Sequence, residues 1–266
     1  MKRPAETYQE YFVPAMFRPW AAALLRHARP GAGESVLDVA CGTGVVAREV
    51  APLVGTTGRV VGLDMNAPML DLARALAPPE GAAILWQEGD AEHLPFADGS
   101  FDLVLCQHAL SFFPDRSAAS REMRRVLTPG GRACVMVLQA LARHPVFEAL
   151  MESVARHLSL PLADVSTPFA LHDADALPEL FLRAGFADVE VITESIIARF
   201  PNAEQFVPLA AASSAAAVPA FLQLTMEQRA ALLDLVREEA DPAIRRYREG
   251  DEVRFPMYAN VAVAKR

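Results

Sequence analysis

The sequence predicts an α/β protein with a mostly parallel sheet that helices cover on both faces. Between residues 35 and 138, short runs of Val, Leu and Ile alternate with segments of helical spacing. Strands buried on both faces consist of nearly continuous apolar runs, and helices usually connect parallel strands. The chain has 266 residues, of which 52% are hydrophobic and 22% charged, so it is long enough to bury a large core.

The composition also argues against several classes of protein. Lys and Arg number 25 against 33 Asp and Glu, a net charge of −8, so we expect no nucleic-acid partner. The Ala-rich stretch 209–221 is interrupted by Ser and Pro and falls short of the roughly 20 apolar residues that a membrane span needs. We therefore expect no membrane insertion.

The cysteines and the N-terminus predict a cytoplasmic protein. The N-terminus has no apolar run typical of a signal peptide. Cys41, Cys106 and Cys134 lie far apart in the sequence without a CxxC pair, which predicts neither a disulfide nor a bound metal. A homodimer is compatible with these observations.

The predicted elements follow in order along the chain. Prolines at 4, 14, 19 and 30 favour two short N-terminal helices, about 5–12 and 17–28. Strands are predicted at 35–40, 59–64, 82–90, 101–107 and about 128–139, separated by helices that include 115–127 with Asp115 as its N-cap. Further on we predict helices at 144–158, 175–186 and 225–240, and strands at 188–200 and 255–266.

This pattern predicts a single domain that spans residues 1–266. Its core lies at 33–138, and a helical cap is built from 1–30, 140–175 and 200–250.

The glycine-rich turn after the first strand carries the strongest chemical signal. Gly42, Gly44 and Ala47 fit the G-x-G-x-x-G/A pattern, which lets a ligand approach the backbone at a helix N-terminus. The alternative is a tight strand–helix turn that needs glycine and holds no ligand.

Two carboxylates narrow the choice of ligand. Asp64 ends the second strand, where an acidic side chain can bind ribose hydroxyls. Asp38 lies within the apolar first strand, where it would repel a pyrophosphate but attract an ammonium or sulfonium. S-adenosylmethionine carries both cations and no phosphate. The alternatives are a backbone-capping role for Asp38 and a loop-starting role for Asp64.

Four segments in order resemble the class I S-adenosylmethionine-dependent methyltransferases. They are VLDVACGTG (36–44), VVGLDMNAPML (60–70), EGDAEHLPFADGSFDLVLCQHAL (88–110) and RVLTPGGR (125–132). The likeness is greatest to the group with the ubiquinone/menaquinone-biosynthesis enzymes and covers roughly 33–138. It implies a Rossmann-like, mostly parallel seven-stranded sheet with the last strand antiparallel, plus a helical cap. It also implies S-adenosylmethionine as cofactor, S-adenosylhomocysteine as product and no metal.

The resemblance assigns roles at the first two strands. Asp38, Ala40, Gly42 and Gly44 would line the methionine end of the cofactor, although the family has Gly where this chain has Ala40. Asp64 would accept hydrogen bonds from both ribose hydroxyls.

It assigns further roles at the third and fourth strands. Met65 would pack on the adenine, Asp90 would accept from the adenine amino group, and the Ala91 N–H would reach a ring nitrogen. Gln107 would contact the amino-acid part of the cofactor. The alternatives are core packing for Met65 and an Asx turn for Asp90.

The methyl acceptor should lie beyond the fourth strand. His108 follows that strand and is the candidate general base, because an ordinary His pKa suits proton transfer near neutral pH; a structural role is the alternative. Aromatic side chains could line the acceptor cavity or simply pack on the core. They are Tyr8, Tyr11, Phe12, Trp20, Phe112 and Phe113, with Phe169 in the cap.

These observations predict an enzyme that transfers a methyl group to an O, N or C atom of a small, largely apolar metabolite. Two alternatives stay open. One is a non-catalytic protein that binds S-adenosylmethionine. The other is a nicotinamide-dependent oxidoreductase, against which Asp38 argues.

Overall fold

The computed structural model of the protein describes residues 3–215 and 218–266. Its centre is one sheet in the order β3-β2-β1-β4-β5-β8-β6, with the short β7 paired to β8. The strands are β1 (Ser35–Val39), β2 (Arg59–Asp64), β3 (Ile84–Glu88), β4 (Phe101–Gln107), β5 (Leu127–Leu138), β6 (Asp188–Phe200), β7 (Arg248–Glu249) and β8 (Glu252–Lys265).

Five neighbouring strands of this sheet, β1 to β5, are parallel. The last strand, β8, runs antiparallel to both β5 and β6. The predicted seven-stranded sheet with an antiparallel last strand is therefore confirmed. The two-residue β7 is an addition that the sequence did not indicate, formed where the chain turns back into β8.

Helices cover both faces of the sheet. They are α1 (Pro4–Thr7), α2 (Arg18–Ala28), α3 (Val45–Val54), α4 (Ala67–Ala75), α5 (Arg116–Val126), α6 (Pro145–Leu158), α7 (Leu162–Val165), α8 (Ala176–Arg183), α9 (Ala203–Ala215), α10 (Pro219–Gln223) and α11 (Met226–Arg245). Asp115 caps α5 as predicted, because its carboxylate accepts the Ala118 N–H at 2.8 Å. None of these helices in the described part of the chain has the length and apolar character needed to cross a membrane.

Successive residues of a strand pack into two separate hydrophobic cores, one on each face of the sheet. Val36 and Leu103 pack with the N-terminal helices, α3 and the cap on one face. Leu37 and Val104 pack with α5 and α8 on the other. This alternation follows from the period of two in a strand, and each fully buried Val or Leu contributes about 1.5–3 kcal/mol to folding.

The N-terminal prediction of two separate helices is wrong. Residues 4–28 are helical without a break, because a π-helical segment, Tyr8–Phe17, joins α1 to α2. Pro14 lies inside this segment. A π turn is wider than an α turn, and at its end the Arg18 N–H donates to the Val13 carbonyl, five residues back. The proline therefore changes the type of helix there and does not end it.

Candidate active site

The turn between β1 and α3 is built from residues in the left-handed conformation. Gly42 has φ +57° and Gly44 φ +86°, while Ala40, which is not glycine, has φ +56°. The Cys41 N–H donates to the Leu63 carbonyl at 2.9 Å, which ties the turn to the end of β2. A left-handed alanine costs roughly 1–2 kcal/mol, which explains why the family pattern has glycine where this chain has Ala40.

Two carboxylates hold this turn from opposite sides. Asp38 is 1% exposed and accepts the Ala47 N–H of α3 at 3.0 Å. Asp64 accepts the Gly42 N–H at 2.7 Å and the Asn66 N–H at 2.8 Å. The capping role weighed for Asp38 is thus present in the structure, and it leaves the second carboxylate oxygen available for a ligand.

Burial raises the pKa of both carboxyl groups above the ordinary value. It raises the pKa of Asp38 to about 8, against the bond from Ala47 and with a further contribution from nearby Asp64. Burial also raises the pKa of Asp64, although the Asn66 and Gly42 amides lower it in part. A ligand that brings positive charge would favour the ionised form of both groups.

The ring of Trp86 in β3 packs directly against the turn. A Cβ placed on Gly44 would lie 2.1 Å from the Trp86 ring, and one placed on Gly62 of β2 would lie 2.5 Å from it. The guanidinium of Arg48 lies 5.4 Å from the centre of the ring. Both glycines are therefore required by the bulk of Trp86, which sequence reasoning missed. The signal was present, since glycine inside a strand indicates a close approach.

The N-terminal helical run lies over the turn. The Tyr8 hydroxyl is 3.8 Å from where a Cβ on Gly42 would stand. Burial, with the nearby Asp64 and Asp38, raises the pKa of Tyr8. The ring of Tyr8 contacts Phe17 at 4.8 Å between centroids. The structure thus brings Tyr8 to the predicted cofactor side of the cleft.

The end of β4 faces the same helical run. The Gln107 amide donates to the Phe17 carbonyl at 3.1 Å. The His108 ring lies 6.2 Å from that of Phe17 and 5.4 Å, edge to face, from that of Trp20. The α2 residue Trp20, which the sequence suggested as part of the aromatic cover, is fully buried.

His108 has two special features. Its φ is +56°, and its N–H donates to the Met136 carbonyl at 2.8 Å. Burial, with a contribution from His144, lowers its pKa to about 3. The argument for a general base relied on an ordinary pKa, and that condition is not met here. His108 is neutral at physiological pH and is a weak base.

The residues expected around the adenine lie at the β3 side of the cleft. Met65 is 77% exposed, so core packing does not explain it. The Asp90 carboxylate accepts the Glu92 N–H at 2.9 Å, which is the Asx turn weighed above. This bond lowers the pKa of Asp90. The Ala91 side chain is buried.

The other predicted aromatics have different surroundings. Phe12 is buried and packs edge-on against Phe200 of β6, 5.8 Å away. Phe112 is 45% exposed, whereas Phe113 packs against the core on the α5 side. Tyr11 packs at the edge of the other core. Phe169 is buried against His144, 5.0 Å away, inside the cap.

The residues at the turn fit S-adenosylmethionine. The left-handed glycines leave the backbone open to a ligand, and two buried carboxylates lie where cationic and hydroxyl groups would bind. No group of three His, Cys, Asp or Glu suited to a metal occurs within 3–215 and 218–266.

Comparison with known proteins gives the family. A family profile described as a methyltransferase domain matches residues 37–135. The demethylmenaquinone methyltransferase of Lactococcus lactis is 34% identical over 187 residues, which cover 64% of this chain and 73% of that enzyme. This chain belongs to the class I S-adenosylmethionine-dependent methyltransferases.

Another relative of this methyltransferase matches over a shorter stretch. The ubiquinone/menaquinone biosynthesis C-methyltransferase of Hahella chejuensis is 42% identical over 121 residues, 45% of this chain. The match covers 49% of that enzyme, so the chain spans about half of its length. The similarity to this enzyme is therefore limited to about half of each chain.

Two solved structures show the same fold. The YcgJ protein of Bacillus subtilis has a TM-score of 0.58 at 20% identity, over 92% of this methyltransferase and 97% of that chain. The phosphoethanolamine N-methyltransferase 2 of Haemonchus contortus, solved with S-adenosylmethionine, has a TM-score of 0.55 at 19% identity. It is matched over 93% of this chain and 52% of its own.

Proposed function

We propose that this methyltransferase methylates an O, N or C atom of a small, largely apolar metabolite. One observation carries the proposal. The carboxylate-flanked turn and the end of β4 lie under a single run of aromatic side chains, Tyr8, Phe17 and Trp20. A cofactor site on one side and an apolar cover on the other suit a small apolar acceptor.

The named relatives favour the same substrate class. Their names refer to demethylmenaquinone and to ubiquinone/menaquinone biosynthesis, and quinones of this kind are apolar. We propose an acceptor of comparable polarity for this chain. We also propose that residues 1–266 form one domain that acts in the cytoplasm without metal, nucleic acid or membrane insertion, and that could assemble as a homodimer.

The residues of the chain would act mainly by placement. S-adenosylmethionine would supply a methyl group bound to a sulfonium sulfur, and the acceptor atom would bond to the methyl carbon as the carbon–sulfur bond breaks and S-adenosylhomocysteine leaves. Asp38 would face the cationic amino-acid end of the cofactor, and Asp64 would accept from the ribose hydroxyls. Gln107 would hold the amino-acid end near β4. The aromatic run would exclude water and orient the acceptor, which supplies most of the acceleration in such a transfer.

Residues on the β3 side of the cleft would bind the adenine. Asp90, the Ala91 N–H and Met65 are the proposed contacts. Met65 is exposed as it stands, and an adenine would cover it.

S-adenosylhomocysteine binding is the first test. We expect calorimetry to detect binding without added metal, and Asp64→Ala to weaken it by about 1–3 kcal/mol, since charged hydrogen bonds are lost. Asp71→Ala is the matched control, because Asp71 is 70% exposed on α4 and pairs with Arg74 on the same helix. Tight NADH binding with no response to S-adenosylhomocysteine would exclude the proposed cofactor.

Methyl transfer is measured with the same protein preparation as S-adenosylhomocysteine binding. With methyl-labelled S-adenosylmethionine and a cell extract, we expect the label in material that organic solvent extracts. Label that stays in RNA or protein would contradict a small apolar acceptor.

A further inference from the structure

Met65 is the most exposed of the large apolar side chains that the structure describes. It is 77% exposed, although the preceding residue, Asp64, is only 8% exposed. The next most exposed methionine in the described part of the chain is Met226 on the cap helix α11, at 62%. Five others are at most 8% exposed, namely Met16, Met123, Met136, Met151 and Met257. Small solutes therefore reach the sulfur of Met65 freely, while they are kept from most other methionines.

The backbone around Met65 is fixed to the glycine turn. The Asp64 carboxylate accepts the Gly42 N–H at 2.7 Å, the Asn66 N–H at 2.8 Å and the N–H of Met65 itself. The Asn66 side chain in turn accepts the Met69 N–H at 3.3 Å and caps α4. Consecutive Cα atoms are about 3.8 Å apart, so the Met65 side chain begins at the rim of the proposed cofactor site.

The three thiols of the chain compete poorly for an oxidant. Cys41 is 7% exposed, and Cys106 and Cys134 are fully buried. Burial raises the pKa of all three, and the nearby Asp38 raises that of Cys41 further. Because the thiolate is the form that peroxides oxidise, an oxidant at this rim reacts first with the exposed thioether of Met65.

Hydrogen peroxide converts a thioether to a sulfoxide in one step. The sulfur lone pair attacks one peroxide oxygen, an S–O bond forms and the O–O bond breaks. The proton on the bound oxygen passes to the departing hydroxide, which leaves as water. Sulfur loses two electrons and the peroxide gains them. The sulfoxide is polar and chiral, and methionine sulfoxide reductases return it to the thioether.

We propose that Met65 is an oxidation site, and that its conversion to the sulfoxide by hydrogen peroxide weakens cofactor binding. The inference rests on the proposed function, because it uses the adenine contact proposed for Met65. A polar sulfoxide packs less well on an aromatic ring than the thioether does. A bound cofactor covers the sulfur in turn, so cofactor binding and oxidation oppose each other.

The first measurement is the rate of oxidation at each methionine. The protein is treated with hydrogen peroxide, with and without S-adenosylhomocysteine at 100 times its Kd, and fragment-ion mass spectrometry locates the added oxygen. Only about 1% of the protein is then free, so we expect Met65 to oxidise at least ~10-fold more slowly with the ligand. Met226 is the internal control, because it is similarly exposed but lies on the cap, and its rate should not change.

The second measurement is the affinity for S-adenosylhomocysteine before and after oxidation, by calorimetry. We expect peroxide to raise the Kd of the wild-type protein ~5-fold, and methionine sulfoxide reductases with dithiothreitol to restore it. Met65→Leu keeps an apolar side chain without sulfur, so peroxide should change its Kd less than ~2-fold from its own untreated value. Met226→Leu is the matched control variant, and its Kd should rise as in the wild type.

Three results would overturn the proposal. They are oxidation of Met65 that S-adenosylhomocysteine does not slow, a Kd that stays unchanged when Met65 is fully oxidised, and an equal rise of the Kd in treated Met65→Leu. Failure of the proposed function gives a different result, since the untreated protein would then not bind S-adenosylhomocysteine.

Discussion

Single residues at this site hold conformations and charges that are costly elsewhere. Ala40 and His108 are left-handed without being glycine, and Asp38 is a carboxylate that is 1% exposed. Such costs persist where the surrounding structure fixes them, and they concentrate at functional sites. All three residues lie at the carboxyl ends of β1 and β4, where a parallel sheet binds its ligands.

Asp38 should make stability and ligand binding depend on pH in opposite directions. Its pKa is about 8 in the folded protein, well above its ordinary value, so the folded state binds more protons between these limits. Stability from this group is complete at low pH and is lost as pH rises towards 8. Ligand affinity should rise over the same range, because the ammonium of S-adenosylhomocysteine favours the ionised carboxylate.

Asp38→Asn tests this. Asn can still accept the Ala47 N–H, so we expect the free energy of unfolding of the variant at pH 8 to exceed that of wild type by about 1–3 kcal/mol, with a higher unfolding temperature. We expect its S-adenosylhomocysteine affinity to fall at least ~10-fold and to lose its rise with pH. Asp71→Asn, on an exposed carboxylate, should change neither quantity. An affinity in wild type that is flat from pH 6 to 9 would contradict the charge assigned to Asp38.

At the scale of elements, the contact of β2, β3 and α3 depends on the space around Trp86. Alanine substitutions at three glycines distinguish two effects of an added side chain, the steric clash with Trp86 and the strain of a left-handed backbone. Gly62→Ala introduces a clash with Trp86 at 2.5 Å and a tight contact with the Cys41 Sγ at 3.1 Å, without left-handed strain. Gly130→Ala introduces only the left-handed strain, at φ +83° with nothing within 4 Å. Gly44→Ala introduces both, with φ +86° and a contact of 2.1 Å.

Chemical denaturation should rank these variants. We expect losses of about 1 kcal/mol for Gly130→Ala, about 1–3 kcal/mol for Gly62→Ala and more for Gly44→Ala. Against a Trp86→Leu background, Gly62→Ala should lose most of its cost and keep only the tight contact with Cys41, whereas Gly44→Ala should retain its strain. If Trp86→Leu rescued neither variant, Trp86 would not be the reason for these glycines.

At the scale of the whole molecule, the three thiols report on how the fold opens. Cys106 and Cys134 are fully buried in the centre of the sheet. Burial raises the pKa of both to about 12. A thiol with so little thiolate and no solvent access reacts only when the sheet unfolds.

Alkylation followed by peptide mass spectrometry measures this opening. We expect Cys106 and Cys134 to react with iodoacetamide ~100-fold more slowly when S-adenosylhomocysteine is present at 100 times its Kd, because binding lowers the unfolded population by that factor. NADH at the same concentration should have no effect, and guanidinium should expose all three cysteines. Rapid labelling of Cys134 in the native protein would show that the sheet opens locally.

The sequence by itself determined the sheet and the cofactor. Apolar runs of strand length, glycines at a strand end and carboxylates at fixed offsets are local patterns. Such patterns can be recognised in the sequence without knowledge of the fold. β6 was predicted at 188–200, the range it has in the structure, because its apolar residues recur and Gly185 precedes it.

Only the tertiary structure decided what covers the site. Proline positions predicted a broken N-terminal helix, yet packing on the sheet stabilises a π segment that keeps it continuous. Burial, which depends on neighbours distant in sequence, shifts the pKa of His108 to about 3, and side-chain contacts bring Trp86 to the glycine turn. Desolvation and side-chain contact are properties of the assembled core, so residue spacing alone does not reveal them.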